Sequence, residues 1–479
     1  MKRAIFFFGN TRPVGPWLAF VALWLLAPLG LAPAAFAADA AAPLCFTAES
    51  DGAAVGMEAI DGTECKDEDE DVAEAERKAP RLELEISSDG QDWQEWKQPR
   101  KIALPHKGDR AYVRAKSTNP SFGKIYLHKD GRKEIVVHHF TVTGKVAASG
   151  NVMTLLDRTG RLRSLAGLPR AFMGLFFDCQ GLTTPPELPA TELADECYDL
   201  MFKNCAGLTA APELPATKLA AGCYAEMFSW CGKLTTAPEL PATKMAERCY
   251  AGMFAGCEGL TAAPRLPATE LAQKCYAVMF FGCKGLTTAP ELPATKLAEQ
   301  CYTGMFSGCE GLTAAPQLPV MELANSCYKG MFSHCLGLTI APELPATKLA
   351  EMCYAWMFIG CERLTAAPKL PAMELTLECY NGMFHGCKGL TIAPELPATV
   401  MAQFCYARMF EACTSLTSAP KLPATQLAEG CYYKMFQDCS GLVEAPELPA
   451  ALADDSHAET FDEMFQGCDK LKRDPTKRK

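Results

Sequence analysis

Histidine is scarce in this 479-residue chain, with seven copies. None of them sits in a His-Glu-x-x-His pair or beside a phosphate-cradling loop, and no Gly-x-Ser-x-Gly elbow is present. The commonest sequence signals of metal hydrolysis, nucleotide chemistry and serine hydrolysis are therefore missing. A basic excess is missing too: 46 Lys and Arg face 56 Asp and Glu, a formal charge of −10. Nucleic-acid binding, which depends on neutralising phosphates, is not expected. Beyond the first forty residues no apolar run has the length to cross a bilayer. Cysteine is abundant instead. Its 24 copies are too many for a reducing compartment unless they hold metal or lie in a core.

Lys2, Arg3 and Arg12 precede an apolar run from Trp17 to Leu26, broken by Pro28, Gly30 and Pro33, and Ala35-Phe36-Ala37 follows as a small-x-small site. Residues 1–37 read as an export signal, too short to anchor the chain. The expectation is a secreted or cell-surface protein, with the periplasm as the other exported location and no transmembrane segment after signal removal.

Residues 38–150 read as a small all-β, sandwich-like domain. Leu82-Glu83-Leu84-Glu85-Ile86 alternates, Ser88-Asp89-Gly90 turns, and Ala111-Tyr112-Val113-Arg114 and Ile135–Val142 supply further strand patterns. Cys45 and Cys65 are a possible disulfide in an oxidising compartment, or two free thiols. The acidic loop 66–78 contains Asp67-Glu68-Asp69-Glu70-Asp71. A calcium loop starting at Asp67 would need Gly and Glu where Val72 and Lys78 stand, so it reads as a solvated connection.

Residues 151–468 are periodic. Cys179, Cys205, Cys231, Cys257, Cys283, Cys309, Cys335, Cys361, Cys387, Cys413 and Cys439 are 26 residues apart, and Cys468 closes a twelfth repeat before a basic tail, 469–479. Leu271, Cys275, Met279 and Cys283 stand four apart, beside Ala272, Tyr276 and Phe280, which predicts a short helix capped by Thr269. The residue before the second cysteine is usually Gly, Asn, Asp or His, which predicts a positive φ that ends the helix. Leu-Thr-x-Ala-Pro-x-Leu-Pro predicts a short strand followed by a turn, because proline cannot donate to a ladder. Ala171-Phe172 in the first copy and Thr460-Phe461 in the last replace the Cys-Tyr pair, as capping repeats would.

Charge tells how copies stack. Glu239, Arg265, Glu291, Gln317, Glu343, Lys369, Glu395, Lys421 and Glu447 alternate in one column. Lys244, Glu270, Lys296, Glu322, Lys348 and Glu374 alternate in another, in opposite phase. Equivalent residues about 4.8 Å apart on stacked strands favour opposite signs. The expected architecture is an α/β repeat solenoid of leucine-rich-repeat type, a short strand and a short helix per repeat.

The Met-Phe-x-Gly-Cys-x-x-Leu-Thr core, the Leu-Pro turn and the exported β domain resemble BspA-type bacterial leucine-rich-repeat surface proteins. That resemblance implies adhesion to host proteins, matrix or other cells, with no catalytic residue and no cofactor.

The repeat cysteines have three readings: buried thiols in stacked columns, disulfides between copies, or a metal site. The eight-residue spacing disfavours metal, since structural zinc ligands pair two to four residues apart. Two sets of positions vary while the scaffold stays fixed. One is the strand set Thr236, Ala262, Thr288, Ala314, Ile340, Ala366, Ile392 and Ser418. The other supplies the candidate binding residues Trp230, Phe281, Trp356, Ile359 and His385. The expected function is non-enzymatic protein–protein or cell-surface adhesion. A structural envelope or spacer protein is the alternative, and a secreted hydrolase a more distant one.

Overall fold

The computed structural model describes residues 41–60, 80–97, 100–127, 133–448, 460–461 and 463–476. The export signal, the acidic loop 66–78 and Cys65 lie outside the described residues.

Short alternating segments pair into two sheets. The strands are β1 (Leu44–Ala48), β2 (Ala53–Ile60), β3 (Leu84–Ser87), β4 (Gln94–Glu95), β5 (Ile102–Leu104), β6 (Arg110–Ala115), β7 (Gly123–Leu127), β8 (Lys133–Thr143), β9 (Val146–Ser149) and β10 (Leu182–Thr184). One sheet runs β10-β9-β1-β6-β3-β4 and the other β5-β2-β8-β7. Pairing is antiparallel except between β9 and β10, where the first repeat joins the sheet in parallel, Leu182 opposite Val146. Alternation along β6 buries Ala111, Val113 and Ala115 and turns Arg110, Tyr112 and Arg114 outward. Phe46, Trp96, Phe122 and Phe140 form the core between the sheets.

The expected helix in each repeat is not there. Among the described residues there is no α-helix; a 3-10 turn, Val152–Leu155, is capped by the Asn151 side chain, and residues 460–461 are also 3-10. The α/β leucine-rich-repeat reading is therefore overturned. The segment from Arg248 to Cys257 shows why. Arg248, Gly252 and Gly256 have φ of 53°, 62° and 73°, and a left-handed residue at every fourth position cannot belong to a right-handed helix. The chain makes a run of overlapping turns instead. Alternate amides bond locally, as Met253 N–H does to the Tyr250 carbonyl at 3.2 Å. The amides between them reach the next coil: Tyr250 N–H donates to Cys275 C=O at 3.0 Å and Phe254 N–H to Met279 C=O at 2.9 Å. Every second amide thus holds a turn and every other one holds the stack, which satisfies a backbone that no regular helix or long strand serves.

A four-residue period places the pairs Cys249-Tyr250 and Met253-Phe254 inward, with Cys257 after them, all 1% exposed or less. Equivalent residues in successive coils then stack. Tyr250 lies 5.9 Å from Tyr276 with ring planes 4° apart, and Phe254 lies 5.8 Å from Phe280. Burying each ring is worth about 1.5–3 kcal/mol, with about 0.5–1.5 kcal/mol more for an aromatic pair. Thr269, expected as a helix cap, joins the stack: Thr295 N–H and Oγ1 both donate to its carbonyl, at 2.9 and 3.4 Å.

Proline shortens the other side of each coil to single parallel bridges. One row links Lys244, Glu270 and Lys296, and the ladder Ile340–Ala366–Ile392–Ser418–Glu444 is a second. Opposite charges meet along the first row: Lys218 and Glu192 at 3.2 Å, and Lys348 and Glu322 at 3.0 Å. A third alternating column, absent from the sequence reading, follows the second cysteine, with Lys284 3.1 Å from Glu258 and Lys388 2.7 Å from Glu362.

The β region closes the first coil by imitating one. Phe122 N–H donates to Ala171 C=O and Phe140 N–H to Leu175 C=O, at 2.9 and 2.7 Å. These are the bonds that Tyr and Phe make between coils. Their rings begin both columns, Phe122 at 5.9 Å from Phe172 and Phe140 at 5.2 Å from Phe176.

Candidate interaction surfaces

The five residues singled out in the sequence divide into two places. Trp230 and Phe281 are exposed, by 52% and 40%. They lie two coils apart on the turn face, and Val278, 39% exposed, joins them. The coil between presents Gly252, Ala255 and Gly256, so the floor of this patch carries little side-chain volume. Backbone bonds fix its geometry: Trp230 N–H donates to Ala255 C=O, and Gly256 N–H to Phe281 C=O, both at 2.6 Å.

Trp356, Ile359 and His385 lie further along and are half-buried. The Trp356 and His385 rings meet edge to face with centroids 6.1 Å apart. His385 Nδ1 is 3.3 Å from Glu411 Oε2, which Arg408 Nη1 approaches to 3.1 Å from the other side. Trp356 and His385 therefore pack between coils.

Sequence reasoning missed several residues. Met321 and Met373 are 49% and 55% exposed where most copies carry threonine. Ile340 and Ile392, at 70% each, belong to the variable strand set and are the most exposed large apolar residues described. Asp199 was also missed. It is half-buried, and burial, reinforced by the Glu196 and Glu226 carboxylates, pushes its acid group up to about 7. Its signal was an aspartate at a turn-face position where the next three copies have Ala225, Ala251 and Ala277.

Every described cysteine is a free thiol. Ten first cysteines and all second cysteines except Cys468 are buried. The second column has a repeated partner: Cys257 Sγ donates to Phe228 C=O at 3.1 Å, Cys283 Sγ to Phe254 C=O at 3.1 Å, and Cys179 Sγ to Phe140 C=O in β8 at 3.0 Å. Burial pushes the Cys231, Cys361 and Cys413 thiols up to about 12. Such thiols are poor nucleophiles and poor metal ligands, because both roles need the thiolate. Cys45 is buried in β1, with its proposed partner Cys65 outside the described residues.

Among the described residues no three His, Cys, Asp or Glu side chains gather as a metal site would require. His138 is buried, with Nε2 2.5 Å from the Pro80 carbonyl oxygen. Two clefts lie between proline turns. One, of about 510 Å³, is lined by Pro264, Arg265, Pro267, Pro290, Glu291 and Pro293. No described helix is long and apolar enough to cross a membrane.

Compared with protein-family models, curated proteins and solved structures, the chain matches none. The resemblance to BspA-type proteins thus rests on the motifs quoted above.

Proposed function

We propose that the chain is an exported, non-enzymatic interaction protein that adheres to a protein or cell-surface ligand through the patch formed by Trp230, Val278 and Phe281. One observation carries this reading: three large apolar side chains stand exposed on two coils that flank one of small residues, and two of them, Trp230 and Val278, occupy left-handed backbone positions with φ of 63° and 49°. Glycine would fit both positions at lower backbone cost. Rigid aromatic anchors around a shallow floor suit a protein ligand. Export rests on residues 1–37.

The test is capture of surface and matrix proteins by the chain from residue 38 on, beside a Trp230→Ser/Phe281→Ser variant whose circular dichroism matches the parent. Saturable binding lost in the variant is expected. Failure of the parent to bind anything would sink the adhesion reading. Weight would then move to a structural envelope or spacer protein, which the unbroken Tyr and Phe columns favour through the stiffness they confer.

A further inference from the structure

The ladder Ile340–Ala366–Ile392–Ser418 lies apart from the Trp230 patch and has its own pattern. Its members are joined by parallel bridges into one row of exposed residues. Large and small side chains alternate along it, and both isoleucines are 70% exposed. Large exposed apolar side chains repeated along one face mark a protein interaction surface.

The column three residues along names the partner. Glu343, Lys369, Glu395 and Lys421 are exposed, alternate in sign and form no ion pair among the described residues. The other two alternating columns do pair internally, through Lys348–Glu322 and Lys388–Glu362 among others. The charges beside the isoleucine ladder are thus left unpaired by the stack itself.

We infer that this face docks a second copy of the chain, antiparallel and two-fold symmetric. A two-fold axis across the ladder sets each column against the same column of the partner, running the opposite way. In one register Ile340 meets the partner's Ser418 and Ala366 meets the partner's Ile392, so each large side chain enters the space above a small one. The same register sets Glu343 against the partner's Lys421 and Lys369 against the partner's Glu395. Symmetry doubles every contact. Sliding one copy by a single coil brings glutamate onto glutamate and isoleucine onto isoleucine. So does a parallel, in-register arrangement. Size and charge independently favour registers of this parity, of which this one engages all four coils, and like charges brought together oppose the one-coil slides and the parallel arrangement.

The experiment is sedimentation equilibrium on the chain from residue 38 on, from about 0.1 to 100 µM, with a dimer expected to form on the order of micromolar. Three variants are compared, all at exposed positions and checked by circular dichroism. Ile340→Ser/Ile392→Ser is expected to be monomeric. Glu343→Lys/Glu395→Lys and Lys369→Glu/Lys421→Glu are each expected to be monomeric alone, and to form a one-to-one heterodimer when mixed, because one column is then wholly basic and the other wholly acidic. A parent that stays monomeric throughout overturns the inference. So does a dimer that survives the isoleucine changes, or half-reversed variants that fail to recognise each other. Adhesion through the Trp230 patch is read by a different assay on different residues, and neither result decides the other.

Discussion

Trp230 covers Gly256 of the next coil: a β-carbon built on Gly256 would lie 2.5 Å from the indole Cε3. The same relationship joins Trp356 to Gly382, His334 to Gly360 and Phe404 to Gly430, each pair one repeat apart. In these four pairs a ring on a left-handed residue leans over the equivalent residue of the following coil, and that residue is glycine.

Gly256→Ala should accordingly destabilise the chain by about 2–4 kcal/mol, combining overpacking against the indole with the cost of a left-handed alanine. Adding Trp230→Ala removes the collision and should recover roughly half. Urea midpoints at unchanged m-value measure both. A neutral Gly256→Ala would show that the indole does not lie over this glycine.

The repeat thiols should be inaccessible in the folded chain. Iodoacetamide at pH 8 is expected to leave both buried columns unmodified while slowly labelling Cys468, which is only half-buried. In denaturant all of them should react. Mass spectrometry that finds disulfide-linked repeats in the exported protein would contradict the free columns.

Alkaline pH should unfold the chain. The second-column thiols stay protonated up to about 12 when folded, against an ordinary value of 9.0. Above pH 9 the unfolded chain releases protons that the folded chain keeps, so the thiols' contribution to stability is constant below pH 9 and falls between 9 and 12. Each such thiol removes about 1.4 kcal/mol per pH unit. Thermal melts at pH 8, 9 and 10 should show a steepening loss of Tm, and an unchanged Tm at pH 10 would refute the assignment.

Asp199 has the same sign in a lower window. Its acid group is held up at about 7, against 3.8 ordinarily. The unfolded chain is thus ionised where the folded one is not, and stability falls as pH rises from about 4 to 7. Asp199→Asn should stabilise the chain at pH 7 by about 1–2 kcal/mol and leave it little changed at pH 4. An equal gain at both pH values would place the effect outside titration.

Much of this arrangement was legible in the residues. The 26-residue period located every coil, and the alternation of Lys244, Glu270 and Lys296 reported which residues stand beside each other. The helix was misread because columns four apart suit both a helix and a four-residue turn run. The two differ in drift: a helix with 3.6 residues per turn rotates about 80° too far between Cys249 and Cys257, whereas a four-residue turn run keeps both cysteines on one side. The deciding signal was present in Gly252 with Gly256, Gly304 with Gly308 and Gly382 with Gly386. Two glycines within one supposed helix cost about 2 kcal/mol, and a helix stop accounts for only the second of each pair. Which exposed residues remain unpaired is a different matter. Nothing in the alternation itself separates the internally paired Glu322–Lys348 column from the unpaired Glu343–Lys369 column, and that distinction needed coordinates.

On the turn face the bonds between coils point one way, from the amide of one residue to a carbonyl 25 positions later, as from Tyr250 to Cys275 and from Phe254 to Met279, whereas on the proline side Thr295 N–H points back to Thr269 C=O. The turn face is therefore polar along the stack, with chemically different ends. Its carbonyl-bearing end is already terminated by Phe122 and Phe140, so growth can proceed only from the amide-bearing side. A ribosome delivers coils in that order, and each arriving turn finds its predecessor's amides already laid out as a template.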